Sequence, residues 1–198
     1  VDVANAFLAA VADSESCQPP MRFFVAQDKA DLLAQAEASA ARWQAGTPLS
    51  LLDGVPVAVK DEVDMVPYPT TVGTSFMGKS PATEDAVTVA RLRETGALLL
   101  GKSNMHELGM GVTGVNPHHG AARNPYDSRR VTGGSSSGPA ACVGAGLCPV
   151  ALGADGGGSI RLPAAFCGVV GIKPTFGRVP EGGAAPLCWT VAHIGPIA

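Results

Sequence analysis

The sequence predicts an α/β fold in which helices are layered around a largely buried sheet. It has 198 residues, of which 46% are hydrophobic and 16% are charged, so it can bury a sizeable core within one domain. Short apolar runs rich in valine or leucine alternate along the chain with alanine-rich segments that carry charges. This alternation is typical of helices packed against a sheet.

Each predicted element has a sequence signal at its ends. A helix is predicted from Asp28 to Trp43, because the segment is alanine-rich, has acids in its first turn and stops before Gly46 and Pro48. A second helix is predicted within 83–96, with Thr83 as its N-cap, and a third over 139–147. Strands are predicted at 55–60, 97–101, 149–155 and 168–173.

Composition excludes several classes of protein. The net charge of −3 gives no basic surface for nucleic acid and no polybasic segment for anionic membranes. No apolar run approaches the roughly 18 residues that span a bilayer. The pair His118–His119 is expected in a surface turn, because no cysteine or histidine cluster has zinc spacing. No metal or other cofactor is therefore expected.

The cysteines and the N-terminus give information about the cellular compartment of the protein. Five cysteines form an odd set, and four of them lie in apolar or strand-like surroundings, which predicts reduced thiols inside the cell. The chain begins at Val1 without a signal-peptide pattern, so we expect processing or a partial chain. The organelle and peripheral contact with a membrane stay open.

One motif resembles a nucleotide site. Residues 96–103, "GALLLGKS", match the P-loop pattern letter for letter. The spacer of a P-loop wraps phosphate, however, whereas four consecutive apolar residues predict a strand. We therefore expect a strand followed by a turn.

Two glycine- and serine-rich loops indicate a catalytic site. "VTGGSSSGPAA" (131–141) runs into a predicted helix, and "GADGGGSIRLP" (153–163) follows one strand later. Three consecutive glycines can aim backbone N–H groups at one point, as an oxyanion in acyl transfer requires. The G-x-S-x-G elbow of α/β-hydrolases is absent, and no histidine stands in a triad context. If Ser159 is a nucleophile, its base is expected to be a lysine, and Lys60 ends an apolar strand.

These motifs resemble the amidase signature family. The resemblance assigns a catalytic Ser–cis-Ser–Lys triad to Ser159 in "GGGSIR", Ser135 in "TGGSSSG" and Lys60 in "VAVKDEVD". It implies a layered fold with a mixed central sheet covered by helices, incomplete in this chain. Residues 1–47 would form an N-terminal helical segment and residues 48–198 the N-terminal part of the catalytic domain, with its C-terminal part absent.

The resemblance also implies roles for the neighbours of the triad. Neutral Lys60 would take a proton from Ser135, which would take one from Ser159. Gly156, Gly157 and Gly158, with the N–H of Ser159, would form the oxyanion hole. The expected supporting residues are Ser136, Asp155 and Arg161.

Within the family, the stretches "PLSLLDGVPVAVKDEVDMVPYPTTVGT" and "RNPYDSRRVTGGSSSG" are similar to plant and algal fatty acid amide hydrolases. The expected activity is hydrolysis of N-acylethanolamine-type amides, without a cofactor. The expected partner is a lipid or small-molecule amide, and a homodimer or larger assembly stays open. The alternatives are a small-amide hydrolase or amidotransferase component of the same family, and a truncated, non-catalytic structural subunit.

Overall fold

Five strands form one mixed sheet at the centre of the molecule. The structure, a computed structural model, describes residues 1–198. The strands are β1 (Phe24–Ala26), β2 (Pro56–Lys60), β3 (Leu98–Ser103), β4 (Val150–Asp155) and β5 (His193–Ile197). They lie in the order β1-β3-β2-β4-β5, in which the three inner strands are parallel and both edge strands are antiparallel to their neighbours. The predicted α/β class with a mixed central sheet is confirmed.

Five helices surround the sheet: α1 (Asp2–Ser16), α2 (Lys29–Gln44), α3 (Val87–Glu94), α4 (Ser137–Gly144) and α5 (Arg161–Phe166). A short 3-10 turn covers Glu107–Gly109. Helix α2 begins where the sequence predicts it, because the side chain of Asp28 accepts the free N–H groups of Ala30 and Asp31. None of the five helices has the length and apolar character needed to cross a membrane.

The alternation of side chains along the inner strands divides the core between the two faces of the sheet. Ala58, Leu98 and Leu100 pack in one cluster with apolar residues of α1, α2, α4 and α5. Val57, Val59 and Leu99 pack in a second cluster, which includes residues of α3 and of the loop after β2. Because the inner strands are covered on both faces, their sequences are almost continuously apolar.

Three predicted elements differ in the structure. The helix predicted over 139–147 is α4, which spans Ser137–Gly144. The segment 168–173 is not a strand: it touches β5 through one isolated bridge, Gly171 to Ile197, and the side chains of Val170 and Ile172 are exposed. Helix α3 starts at Val87, and Thr83 does not cap it. The side chain of Asp85 instead accepts the N–H of Val66 and pairs with Arg93, which keeps this part of the chain out of the helix.

The P-loop match lies on β3, as expected from its apolar spacer. Its lysine, Lys102, is fully buried and pairs with Asp61 at 3.2 Å. The backbone of this segment is hydrogen-bonded within the sheet and its lysine is paired with a carboxylate, so neither is available to bind phosphate.

All five cysteines are free. Cys142, Cys148 and Cys167 are buried, whereas Cys17 and Cys188 are exposed. Burial raises the pKa of Cys148 and of Cys167 to about 12, so both are unreactive thiols at neutral pH.

Candidate active site

The carboxyl ends of two parallel neighbours, β2 and β4, bring the predicted site together. Strand β2 ends at Lys60 and strand β4 ends at Asp155, directly before the triple-glycine turn. The two strands are paired in register through Val57 with Val150 and Val59 with Leu152. The lysine and the glycine turn are therefore adjacent in space, although Lys60 and Asp155 are 95 positions apart in the sequence.

Lys60 and Ser135 form a buried hydrogen-bonded pair. The Nζ of Lys60 donates to Oγ of Ser135 at 2.8 Å and to the carbonyl oxygen of Ala154 at 3.2 Å. Both side chains are almost fully removed from solvent. The peptide between Gly134 and Ser135 is cis, as the resemblance implies. The backbone of Ser135 is fixed as well, since its carbonyl oxygen accepts the N–H of His106 at 3.0 Å.

Ser159 lines a cavity of about 300 Å³. Lys60, Ser135, Gly156 and Gly157 line the same cavity. The N–H of the buried Ser136 donates to the carbonyl oxygen of Ser159 at 3.1 Å, which ties the two serine loops together. No hydrogen bond joins the hydroxyls of Ser159 and Ser135 in this structure.

Ser136 also fixes the end of β4. Its hydroxyl donates to the carbonyl oxygen of Ala154 at 3.2 Å and accepts the N–H of Ala154 at 3.3 Å. The same carbonyl accepts from Lys60. Ser136 thus shares an acceptor with Lys60 and does not line the cavity.

Asp155 organises the triple-glycine turn. Its buried carboxylate accepts the N–H of Gly158 at 2.6 Å and of Ile160 at 3.0 Å, and it forms two hydrogen bonds with the guanidinium of Arg161. Burial by itself would raise the pKa of Asp155, but the hydrogen bonds from Arg161 and the backbone outweigh it and lower the pKa to about 2. Asp155 is therefore a carboxylate at neutral pH.

One of the expected oxyanion donors is already hydrogen-bonded within the chain. The N–H of Gly158 is already bound to Asp155, so in this structure Gly158 is not a free donor. The N–H groups of Gly156, Gly157 and Ser159 have no acceptor within the chain, and all three residues line the cavity. An oxyanion hole needs unpaired donors of this kind, and these three N–H groups are unpaired.

Sequence reasoning missed a charged neighbour of the lysine. The Oε2 atom of Glu62, on the turn that follows β2, lies 3.0 Å from Nζ of Lys60. Both side chains are at least 95% buried. The contact is an ion pair, and Oε2 accepts no hydrogen bond. The only sign of this contact in the sequence was a glutamate two positions after the lysine that ends β2.

The histidines, the methionines and the potential metal ligands differ in their access to the cavity. None of the four histidines lines it. Met110 is largely exposed and lines the cavity, whereas Met105 is fully buried. No group of three or more His, Cys, Asp or Glu side chains is placed to hold a metal ion.

Comparison with known proteins gives three kinds of relative. A fatty acid amide hydrolase from Oryza sativa subsp. indica is 51% identical over 197 residues, which cover 99% of this chain and 32% of that protein. A glutamyl-tRNA(Gln) amidotransferase subunit from Symbiobacterium thermophilum is 42% identical over 198 residues, covering 100% of this chain and 40% of that protein. The crystal structure of native peptide amidase from Stenotrophomonas maltophilia superimposes with a TM-score of 0.94 at 34% identity, covering 100% of this chain and 41% of that one.

These matches confirm the resemblance to the amidase signature family and to plant fatty acid amide hydrolases. The chain spans about a third of the length of the fatty acid amide hydrolases that it matches. The sequence model of the Amidase family matches residues 5–198. Since that match extends over nearly the whole sequence, the chain belongs to the amidase family.

Proposed function

We propose that the intact protein is a serine amidase that hydrolyses fatty acid amides of the N-acylethanolamine type to a fatty acid and an amine. The observation that carries the proposal is the buried 2.8 Å hydrogen bond between Lys60 Nζ and Ser135 Oγ, beside Ser159 in one cavity. A lysine and a serine hydroxyl in contact, with a second serine nearby, form a route for moving a proton away from a nucleophile.

The first half of the reaction acylates Ser159. Neutral Lys60 accepts the proton of Ser135, and Ser135 accepts the proton of Ser159 as the Ser159 oxygen attacks the amide carbonyl. The carbonyl π electrons move onto oxygen, and the free N–H groups of Gly156, Gly157 and Ser159 stabilise that negative charge. This step requires Ser159 Oγ to approach Ser135 Oγ.

The tetrahedral intermediate then collapses. The C–N bond breaks, and the leaving nitrogen takes a proton from Ser135, which recovers one from protonated Lys60. An unprotonated amine is a poor leaving group, so this return of the proton matters more for amides than for esters. Water attacks the resulting ester by the same route, which releases the fatty acid and restores Ser159.

The lipid substrate is supported by sequence similarity to plant relatives. Fatty acid amide hydrolases from rice and Arabidopsis thaliana are 51% and 47% identical to this chain. Relatives named as a peptide amidase and an amidotransferase subunit favour small amides as the second candidate. A structural subunit without catalysis is a third candidate, but the close contact of Lys60 with Ser135 speaks against it.

A comparison of substrates tests this proposal. The intact protein should turn over a long-chain acylethanolamide with a higher kcat/KM than a short amide such as indoleacetamide. A preference for the short amide would overturn the lipid assignment and leave the amidase mechanism standing. No turnover of either amide, in folded protein, would favour the structural subunit.

A further inference from the structure

A second cavity adjoins the catalytic one. It has a volume of about 170 Å³, and most of its wall is apolar. The two cavities share five lining residues: Glu62, Ala154, Leu187, Cys188 and Ala192. The proposed acylation of Ser159 uses the groups of the first cavity, so the second has as yet no role in the reaction.

The position of the second cavity matches the amine side of a bound amide. Gly156 and Gly157, whose N–H groups would bind the oxyanion, line the first cavity and not the second. Glu62 and Ala154, which line both, lie beside the lysine: Oε2 of Glu62 is 3.0 Å and the carbonyl oxygen of Ala154 is 3.2 Å from Nζ of Lys60. In the proposed reaction the leaving nitrogen takes its proton from the relay that starts at this lysine. The substituent of that nitrogen therefore points toward the second cavity.

We propose that the second cavity, the amine pocket, binds the substituent of the leaving amine, and that Glu181 makes it select an amine with a hydroxyl group against an amine with a carboxylate. The inference rests on the proposed function, because it names the class of amine that the same reaction releases. Glu181 lines the amine pocket and not the catalytic cavity, so it acts on specificity and not on the reacting atoms.

A buried acceptor at the amine pocket supports a hydroxyl ligand. His193 lines the pocket, and its side chain is only 2% exposed. Its Nδ1 lies 2.8 Å from the carbonyl oxygen of Val191, which can only accept a hydrogen bond, so Nδ1 carries a hydrogen. In the neutral imidazole Nε2 is then an acceptor, and it has no hydrogen-bond partner in the chain. A hydroxyl group can donate to this atom, whereas a carboxylate cannot.

The charges that line the amine pocket disfavour an anion. Glu62 and Glu181 are among its lining residues, and no lysine or arginine is. Glu62 is paired with Lys60 at 3.0 Å, whereas the one ion-pair partner of Glu181 is His193, at 3.7 Å. The side chain of Glu181 is 36% exposed, so a ligand can reach it. A carboxylate on the amine would meet this like charge with no cation to offset it, which opposes binding.

The other titratable groups nearby leave the sign of this charge unchanged. Asp64 follows Glu62 by two residues on the same loop, is partly buried and forms no ion pair, so it adds negative charge. The thiol of Cys188, which lines both cavities with its Sγ 3.8 Å from Oγ1 of Thr190, cannot supply a positive charge. The remaining carboxylates at the ends of β2 and β4 are neutralised in the pairs Asp61–Lys102 and Asp155–Arg161.

Two amides with the same acyl chain test the proposal on the intact protein. The N-acylethanolamide and the N-acylglycine have amine parts of similar size that differ in charge, and kcat/KM should be higher for the ethanolamide. Glu181→Gln removes the charge and keeps the size of the side chain. It should raise the kcat/KM of the acylglycine relative to the ethanolamide by about 5–30-fold, the effect of one like charge roughly 8 Å away near a protein surface. Glu181→Asp keeps the charge and should stay close to the wild-type ratio.

Glu37→Gln is the matched control. Glu37 is an exposed glutamate of α2 that lines neither cavity, so its loss should leave the ratio of the two substrates unchanged.

A charge reversal extends the test. Glu181→Lys should shift the ratio further toward the acylglycine than Glu181→Gln does. Wild-type protein that turns over both amides equally well, an unchanged ratio in folded Glu181→Gln, or an equal change in Glu37→Gln would overturn the inference. Failure of the glutamine and lysine variants to fold, judged by circular dichroism, would assign Glu181 to stability and overturn it too. Turnover of neither amide by the wild type would instead contradict the proposed function itself.

Discussion

Replacing Asp155 with alanine should destabilise the protein and disorder the glycine turn. The variant leaves the N–H groups of Gly158 and Ile160 without their acceptor in a buried site. Each unpaired buried N–H costs about 1–3 kcal/mol, so the two together cost about 2–6 kcal/mol. The pair with Arg161 adds little, because the guanidinium side chain is 54% exposed and water can replace the carboxylate.

Urea denaturation of the intact protein, followed by circular dichroism, measures this loss. Two further variants should be less destabilising, and the structure predicts how their losses in free energy of unfolding rank. Asp155→Asn keeps one acceptor oxygen and should lose roughly half as much free energy of unfolding. Arg161→Gln should lose the least of the three, because Asp155 keeps its backbone donors, the N–H groups of Gly158, Ile160 and residue 161. An Arg161→Gln loss equal to that of Asp155→Ala would refute the reasoning, because the ion pair and not the backbone contacts would then organise the turn.

The same carboxylate predicts a pH effect. Its pKa is about 2 in the folded protein, below the value of about 3.9 for an ordinary aspartate. A lowered pKa contributes stability above about pH 4 that is lost as the pH falls through 2. The wild type should therefore lose more stability between pH 5 and pH 2 than Asp155→Asn does. Equal losses would mean that Asp155 is not the group that titrates.

Three further predictions concern a buried ion pair, the glycine turn and the proposed nucleophile. Asp61→Ala should cost about 3–5 kcal/mol in urea denaturation, because it leaves the buried ammonium of Lys102 without its carboxylate; a loss below about 1 kcal/mol would contradict this. Gly158→Ala should lower the melting temperature, since Gly158 has φ +123° and a Cβ would lie 2.9 Å from a leucine side chain, whereas Gly157→Ala should not, having open space around its Cβ; equal melting temperatures would refute the comparison. Ser159→Ala should remove labelling by a fluorophosphonate probe while the circular dichroism spectrum is kept; persistent labelling would point to another serine.

Local sequence signals were sufficient for most of the sheet. The apolar runs at 55–60, 97–101 and 149–155 are inner strands, because strands buried on both faces need continuous apolar sequence. The run at 168–173 has the same composition but packs at the edge of the sheet with exposed side chains. Helix α1 was not predicted as a separate element, although Ala4, Phe7 and Val11 have helical spacing on its buried face.

The sequence was sufficient to predict which residues form the candidate site, but not which charged groups contact them. The resemblance to the amidase signature family was enough to select Lys60, Ser135 and the glycine turn. The contact of Glu62 with Lys60 depends on how the chain turns after β2, and the commitment of the Gly158 N–H to Asp155 depends on the conformation of the turn. Neither is determined by local sequence, because each requires side-chain positions that only the folded loops define.

The role of Lys60 as the base is the central claim, and the ratio of amide to ester hydrolysis tests it most directly. Lys60→Ala removes the proton acceptor of Ser135, so amide turnover should fall by roughly 10²–10⁴-fold. Turnover of the matching ester should fall much less, because an alkoxide leaves without prior protonation. Lys79→Ala, at an exposed lysine away from the cavity, is the control and should leave the ratio unchanged. Equal losses on amide and ester in folded Lys60→Ala would contradict the proton relay through Ser135.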